Sequence, residues 1–238
     1  NNRRNMLGSW AVAGNPYRAI TVLEGLQAQF GEDNVKYAKG SNLSDDPELA
    51  ERANVFGNGD EIYIDPDHTP EELLAEAVKI ANSSDVTHIV VALGEAADMS
   101  GECASFTNID IQPAQRKLLI ALKQLNKPII GIFFSGRPLT LTWENENIDV
   151  ILACWSGGTE AGNAVPDVIS GAYNPGAKLS MSFPRSAGQI PVYYNQLPTG
   201  RTRKAVEGWK FHSVYMDSPN SPLFPFGYGL SYTNFTFT

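Results

Sequence analysis

This chain of 238 residues has little cysteine, little histidine and no long apolar run. With Cys103 and Cys154 as its two cysteines, it is no disulfide scaffold, and their spacing matches no zinc site; one bridge between them is the most they allow. His68, His88 and His212 are scattered, which removes a His-Glu-x-x-His metal hydrolase and leaves each as a surface or packing residue. No apolar stretch reaches the ~18 to 20 residues of a membrane span. The opening Asn1-Asn2-Arg3-Arg4-Asn5 reads as no signal peptide, because no apolar stretch follows it. Basic charge is also short. Eighteen Lys and Arg stand against 26 Asp and Glu, for a net charge of −8 and a pI near 4.9, the wrong sign for gathering nucleic-acid phosphates or adhering to an anionic membrane. Gly-x-Ser-x-Gly and Walker-type loops are missing, and Gly57-Asn-Gly59 and Gly227-Tyr-Gly229 both lack the third glycine of a dinucleotide fingerprint. No cofactor and no metal is implied.

What is present is an ordinary apolar content, 42% hydrophobic with 10% aromatic residues, enough for one sizeable core. Helical and extended signals alternate. Ile20, Leu23, Leu26 and Phe30 stand at helical spacing over residues 18–30, which stop at Gly31. A short extended run follows at 35–38. Residues 71–82 predict a helix, with Pro70 at its start, Glu71 and Glu72 in its first turn, and an apolar stripe of Leu73, Leu74, Ala77 and Ile80. Buried strands are expected at 87–93, 128–134, 150–155 and 178–183, with helices at 113–125 and 159–170 between them. Thr159 is the expected cap of the last helix. Continuous apolar strands alternating with amphipathic helices predict an α/β fold, a mostly parallel sheet sandwiched by helices in a flavodoxin-like arrangement. A doubly wound sheet opens with a strand, yet residues 1–16 are polar and turn-rich, so the first strand is expected to be missing. From Arg185 onward Pro, Gly, Tyr and Phe replace periodicity, predicting an irregular aromatic tail that wraps the domain.

Ligands of open parallel sheets gather beyond the carboxyl ends of the strands. The loop at 94–105 puts three carboxylates there, Glu95, Asp98 and Glu102, among small residues. Such groups serve as general acid or base if their surroundings tune them; the plain alternative is a solvated acidic loop. Arg137, in Ser135-Gly-Arg-Pro138, can stand at the mouth of the sheet or form a structural ion pair. Trp155-Ser-Gly-Gly-Thr159 has the glycines of a tight strand-to-helix turn. Trp10, Trp143, Trp155 and Trp209 can stack on the C–H faces of sugars, with burial the default for each.

Several segments together resemble the C-terminal α/β domain of glycoside hydrolase family three, in particular the bacterial periplasmic β-glucosidases. The matching stretches are Asn5-Met-Leu-Gly-Ser-Trp10, Tyr37-Ala-Lys-Gly40, Ala92-Leu-Gly-Glu95, Ser100-Gly-Glu-Cys-Ala-Ser105, Gly136-Arg-Pro138, Gly158-Thr-Glu-Ala-Gly162, Met181-Ser-Phe-Pro-Arg185 and Pro225-Phe-Gly-Tyr-Gly-Leu-Ser-Tyr-Thr233. They occur in the family's order over almost the whole chain.

The resemblance implies a retaining exo-acting hydrolase that removes terminal β-D-glucosyl units, its substrate a β-linked oligosaccharide or β-glucoside. It implies a nucleophilic Asp on a preceding (β/α)8 barrel, a partner domain of the same protein, so this chain alone is expected to be inactive. The acid/base is then Glu102, with Glu95 the second choice, and substrate contacts are expected from Glu95, Ser100, Phe106 and Arg137. Many relatives carry Arg where this chain has Phe106. The resemblance places the protein in the periplasm or outside the cell and is compatible with a homodimer. A non-catalytic carbohydrate-binding or interaction domain is the alternative from another class. Relatives enter this domain through an apolar strand, so the chain is expected to be a piece of a longer polypeptide. Its organisation is expected to be an α/β sandwich over 1–184, a wrapping tail over 185–232, and the start of a fibronectin-type-III-like domain over 233–238.

Overall fold

The computed structural model describes residues 2–54, 63–197, 200–201 and 210–236. Trp209, Gly57, Gly59 and the end of the expected fibronectin-like segment, 237–238, lie outside the described residues. The described helices are α1 (Arg3–Leu7), α2 (Val22–Phe30), α3 (Pro47–Ala53), α4 (Pro70–Ala81), α5 (Pro113–Lys123), α6 (Thr142–Asn147) and α7 (Ala161–Ser170). The strands are β1 (Ile89–Gly94), β2 (Ile129–Phe134) and β3 (Val150–Ala153), all parallel and in the spatial order β1-β2-β3. Ile89 stands opposite Ile129 and Gly94 opposite Phe134, while Ile130 faces Val150 and Phe133 faces Ala153.

Local chemistry sets where helices begin. Thr21 and Thr69 each accept the N–H of the glutamate three residues on, and Glu24 and Glu72 reach back to the threonine amide. These reciprocal bonds satisfy amides that a helix start leaves orphaned. The first long helix therefore starts at Val22 and not at Arg18, and Pro16–Arg18 is a separate 3-10 turn. The expected cap at Thr159 is not used: α7 starts at Ala161 after Glu160, with no side-chain cap. It closes on Gly171 in the left-handed region, φ 78°.

The pleat divides the sheet into two faces. Ile132 and Phe134 pack with Val22 of α2 and Ala161 and Val165 of α7, and with partly buried Val90 and Leu152. Ile89, Val91, Leu93, Ile129 and Phe133 alternate with these and turn to the opposite face. Helices α4 and α5 contribute buried Leu73, Ala77, Leu118, Leu119 and Leu122. The expected α/β sandwich with a parallel sheet is the observed architecture.

The expected extended run at 35–38 belongs to no strand, and one expected strand does not form. Residues 178–183 make a single antiparallel bridge, Phe183 to Phe224, besides the contacts of Leu179 with Tyr228 and Gly227. The next amide that would continue this ladder, that of Phe226, donates instead to the Ser182 hydroxyl at 3.1 Å.

The chain divides into two compact units. One comprises Asn1–Phe106, Ile111–Arg137 and Trp143–Tyr173, and contains the sheet and both helical layers. The other comprises Thr107–Asp110, Pro138–Thr142 and Asn174–Thr238. Aromatic contacts hold it: Tyr194 stacks on Phe226 at 4.4 Å and Phe224 on Tyr228 at 5.2 Å. Buried Gln189 ties it further, accepting the Arg185 N–H at 2.7 Å and donating to the Pro219 carbonyl at 2.8 Å.

Candidate active-site loop

The carboxyl end of β1 turns at Gly94, whose φ is 125°. A Cβ there would fall on the Phe134 carbonyl, so only glycine lets the strand end lie this close to β2. Glu95 follows, its N–H donating to the same Phe134 oxygen at 2.8 Å. The loop then roots itself by burial: Ala96 and Met99 are almost fully enclosed in a small cluster with Ala53 and Tyr63, against which Phe106 packs.

Polar contacts brace both sides of this root. The Arg137 guanidinium donates through Nη2 to the carbonyls of Met99 and, at 2.8 Å, Ala104, so one side chain grips the loop before and after its tip. Its Nε lies 3.0 Å from Glu95 Oε1, and its plane sits 4.9 Å from the Phe106 ring. The Ser135 hydroxyl lies 2.7 Å from Glu95 Oε2 and accepts the Arg137 N–H at 3.1 Å. From the other side, the Ser9 hydroxyl reaches the carbonyls of Ala97 at 2.7 Å and Ser100 at 2.5 Å. Asn5 Oδ1 accepts the Ala97 N–H at 2.9 Å, and Arg4 stands 3.7 Å from Asp98.

Only the tip is left unbraced. Gly101 (φ 111°) and Cys103 (φ 61°) both take left-handed backbone, which turns the chain sharply on either side of Glu102. Glu102 is exposed, and its carboxylate makes no hydrogen bond or ion pair among the described residues. The two competing carboxylates therefore differ in kind. Glu95, with a side chain 8% exposed, has both oxygens engaged, whereas Glu102 is free to meet a molecule from outside.

The remaining expected site residues divide similarly. Ser100 is buried, at 6% exposure, against Gly136. Phe106 is half-buried as the platform for Arg137. Trp10 is exposed and lies beside Gly101, while Trp143 sits under the Arg116 guanidinium at 5.6 Å. Spacing alone did not single out Ser9, Asn5 and Ser135, since hydroxyl and amide bracing has no periodic signature; the Asn5-to-Trp10 match was the available signal.

Both cysteines are free, Cys103 at the exposed tip and Cys154 half-buried at the end of β3. Burial pushes the Cys154 thiol up to about 12, which keeps it protonated and inert near neutrality. No group of three His, Cys, Asp or Glu able to hold a metal gathers among the described residues.

Comparison with known proteins matches this arrangement to one family. Residues 1–232 fit the glycosyl hydrolase family 3 C-terminal domain. The chain is 44% identical over 236 residues to the periplasmic beta-glucosidase of Salmonella typhimurium, covering 99% of this chain and 30% of that protein. It is 35% identical to a beta-xylosidase of Formosa agariphila, covering 98% of this chain and 28% of that one. Among solved structures, beta-glucosidase from Listeria innocua in complex with isofagomine superposes with a TM-score of 0.79 at 34% identity, over 97% of this chain and 28% of that chain. The chain thus spans less than a third of the length of these relatives. Family match, identity and fold agree, and the chain belongs to glycosyl hydrolase family 3, of which it is a C-terminal domain.

Proposed function

We propose that this chain is the acid/base-bearing domain of a retaining exo-β-glucosidase and that Glu102 is the proton-transferring carboxyl. The observation that carries the reading is the contrast at the 94–105 loop: a braced frame holding one unpartnered, exposed carboxylate at its tip. A group that must reach a substrate seated on another domain needs this combination of fixed base and free end. Glu95 serves as the counter-ion of Arg137 within that frame, so it is unsuited to carry the proton.

A retaining glycosidase uses two carboxyl groups roughly 5 to 5.5 Å apart. In the first step Glu102, protonated, gives its proton to the glycosidic oxygen as the anomeric C–O bond breaks and the nucleophilic carboxylate bonds to the anomeric carbon. In the second, the Glu102 carboxylate takes a proton from water as the water oxygen displaces that nucleophile, and the enzyme returns to its starting state. The nucleophile is an Asp of a (β/α)8 barrel in the same polypeptide. The substrate is a β-linked, uncharged glucoside, consistent with a net charge of −8 that would attract no anion. Likeness to the Salmonella protein supports a periplasmic site of action.

The test is kinetic, on the full-length protein. Glu102→Ala should lower kcat on glucosides with poor leaving groups by about 10² to 10⁴. Azide, a nucleophile that needs no general base, should restore part of the turnover on activated aryl glucosides and yield a β-glucosyl azide. Unchanged turnover in Glu102→Ala together with collapse in Glu95→Ala would transfer the role to Glu95.

A further inference from the structure

The 94–105 loop takes much of its hold from outside itself. The Ala97, Met99, Ser100 and Ala104 carbonyls all accept hydrogen bonds from side chains far along the chain. Arg137 supplies two of them, and Ser9 supplies the two at either end of the 3-10 turn Ala97–Met99. A hydroxyl carries one proton, so Ser9 shares it in a three-centre bond, with Oγ 2.7 Å from the Ala97 oxygen and 2.5 Å from that of Ser100. Such a bond fixes the separation of its two acceptors. Ser9 also fills the space beside the tip, where a Cβ at Gly101 would lie 3.0 Å from the Ser9 Cβ and 3.1 Å from its Oγ. It thus stands against the residue next to Glu102 as well as the turn that leads there.

Ser9 is itself held in place from the core. Met6 of α1 is buried and packs with Ala19, Val22 and Val165. Its carbonyl accepts the Gly158 N–H at 2.7 Å, which joins α1 to the loop after β3. Gly8 (φ 84°) closes the helix against the same loop, where a Cβ would strike the Ser156 side chain. Ser9 follows directly, so the core and the loop after β3 set where its hydroxyl stands.

We propose that Ser9 is a positioning residue for Glu102, its shared hydrogen bond setting where the tip presents that carboxyl. This role presupposes that Glu102 transfers the proton. Exposure decides between positioning and mere stabilisation. Ser9 is exposed, so in Ser9→Ala water can take the place of the hydroxyl and satisfy both carbonyls at little cost in stability. Water does not hold them at a fixed separation, and a misplaced proton donor loses rate even where the fold is intact.

Kinetics on the full-length protein test this. The ratio kcat/KM reports the step in which the leaving group departs, and the need for a proton in that step rises with the basicity of the leaving group. Ser9→Ala should lower kcat/KM about 10-fold on alkyl glucosides and less than about twofold on a dinitrophenyl glucoside. Its urea midpoint should stay close to that of the parent protein. Ser9→Thr, which keeps the hydroxyl, should restore most of the lost kcat/KM. In a Glu102→Ala background, adding Ser9→Ala should change kcat/KM by less than about twofold, because the group it positions is gone. No loss in Ser9→Ala, an equal loss for every leaving group, or an undiminished loss in the Glu102→Ala background overturns the positioning role and leaves Glu102 its own. Full kcat/KM on alkyl glucosides in Glu102→Ala overturns instead the assignment of the proton to Glu102, and the role of Ser9 with it.

Discussion

Arg137 couples three elements of the candidate site. Its guanidinium binds the Met99 and Ala104 carbonyls through Nη2, pairs with Glu95 through Nε and lies on Phe106, so a rigid planar fork addresses loop and carboxylate from different corners. Lysine could keep the charge opposite Glu95 but could not hold both carbonyls. Arg137→Ala leaves Glu95 largely buried without its counter-ion and should lower stability by about 3 kcal/mol, read from urea midpoints. Arg137→Lys separates stability from positioning: most of that loss should return, while kcat on an aryl glucoside stays down by about 10-fold or more and KM changes little, because a displaced tip misplaces Glu102. Equal recovery of stability and kcat would make Arg137 a stabilising residue only. The 94–105 loop was legible from the sequence because carboxylates at a strand end stand out. The separate employment of Glu95 and Glu102 was not, since it depends on Ser135 and Arg137, some 40 residues further along the chain and brought alongside by the β1–β2 pairing.

At the scale of elements, α2 and α7 meet through glycine. A Cβ at Gly25 would fall on the Gly162 carbonyl, and one at Gly162 on the carbonyls of Ile20 and Thr21, so the two helices touch backbone to backbone. In an isolated helix, Gly→Ala gains about 1 kcal/mol of propensity. Here the close approach wins, and Gly162→Ala should destabilise by about 1 to 3 kcal/mol, with lower urea midpoints and an unchanged m-value. A stabilised variant would mean that α7 can move away from α2 at little cost. The helices that the sequence revealed are the longer ones with a sustained apolar stripe, α2, α4, α5 and α7, of which only α2 and α4 also carry a side-chain cap. Helices α3 and α6 are too short to display a period, and the expected strand at 178–183 had the right composition but only a single bridge, Phe183 to Phe224. Strand propensity registers a fit to a pleated, half-buried surface, and the neighbour that completes the surface is not encoded locally.

At the scale of the whole molecule, excess acid does not mean unpaired acid. Lys36, 2.5 Å away, holds the Asp85 carboxyl down to about 2, with help from the Ser83 hydroxyl. Lys39, then the Asp67 amide, hold Asp65 well below the usual carboxylate range. Lys117 lowers Glu71, and the Thr69 and Thr21 amides lower Glu72 and Glu24. In each case the folded state favours the charged form, so the unfolded chain binds more protons as the pH falls through the carboxylate range. Stability from these groups is fully present above the unfolded values, near 4, and is lost as pH drops toward each folded value, near 2 for Asp85. Urea midpoints should be flat from pH 7 to 5 and fall steadily from pH 4 to 2. Lys36→Met, which releases Asp85 from its partner, should make that fall shallower by lowering the neutral plateau slightly while leaving the acid end little changed, the small size following from the exposure of the pair. A fall of equal steepness in Lys36→Met would assign the acid sensitivity to the other depressed carboxyls, with Asp65 and its Lys39 partner the next pair to separate.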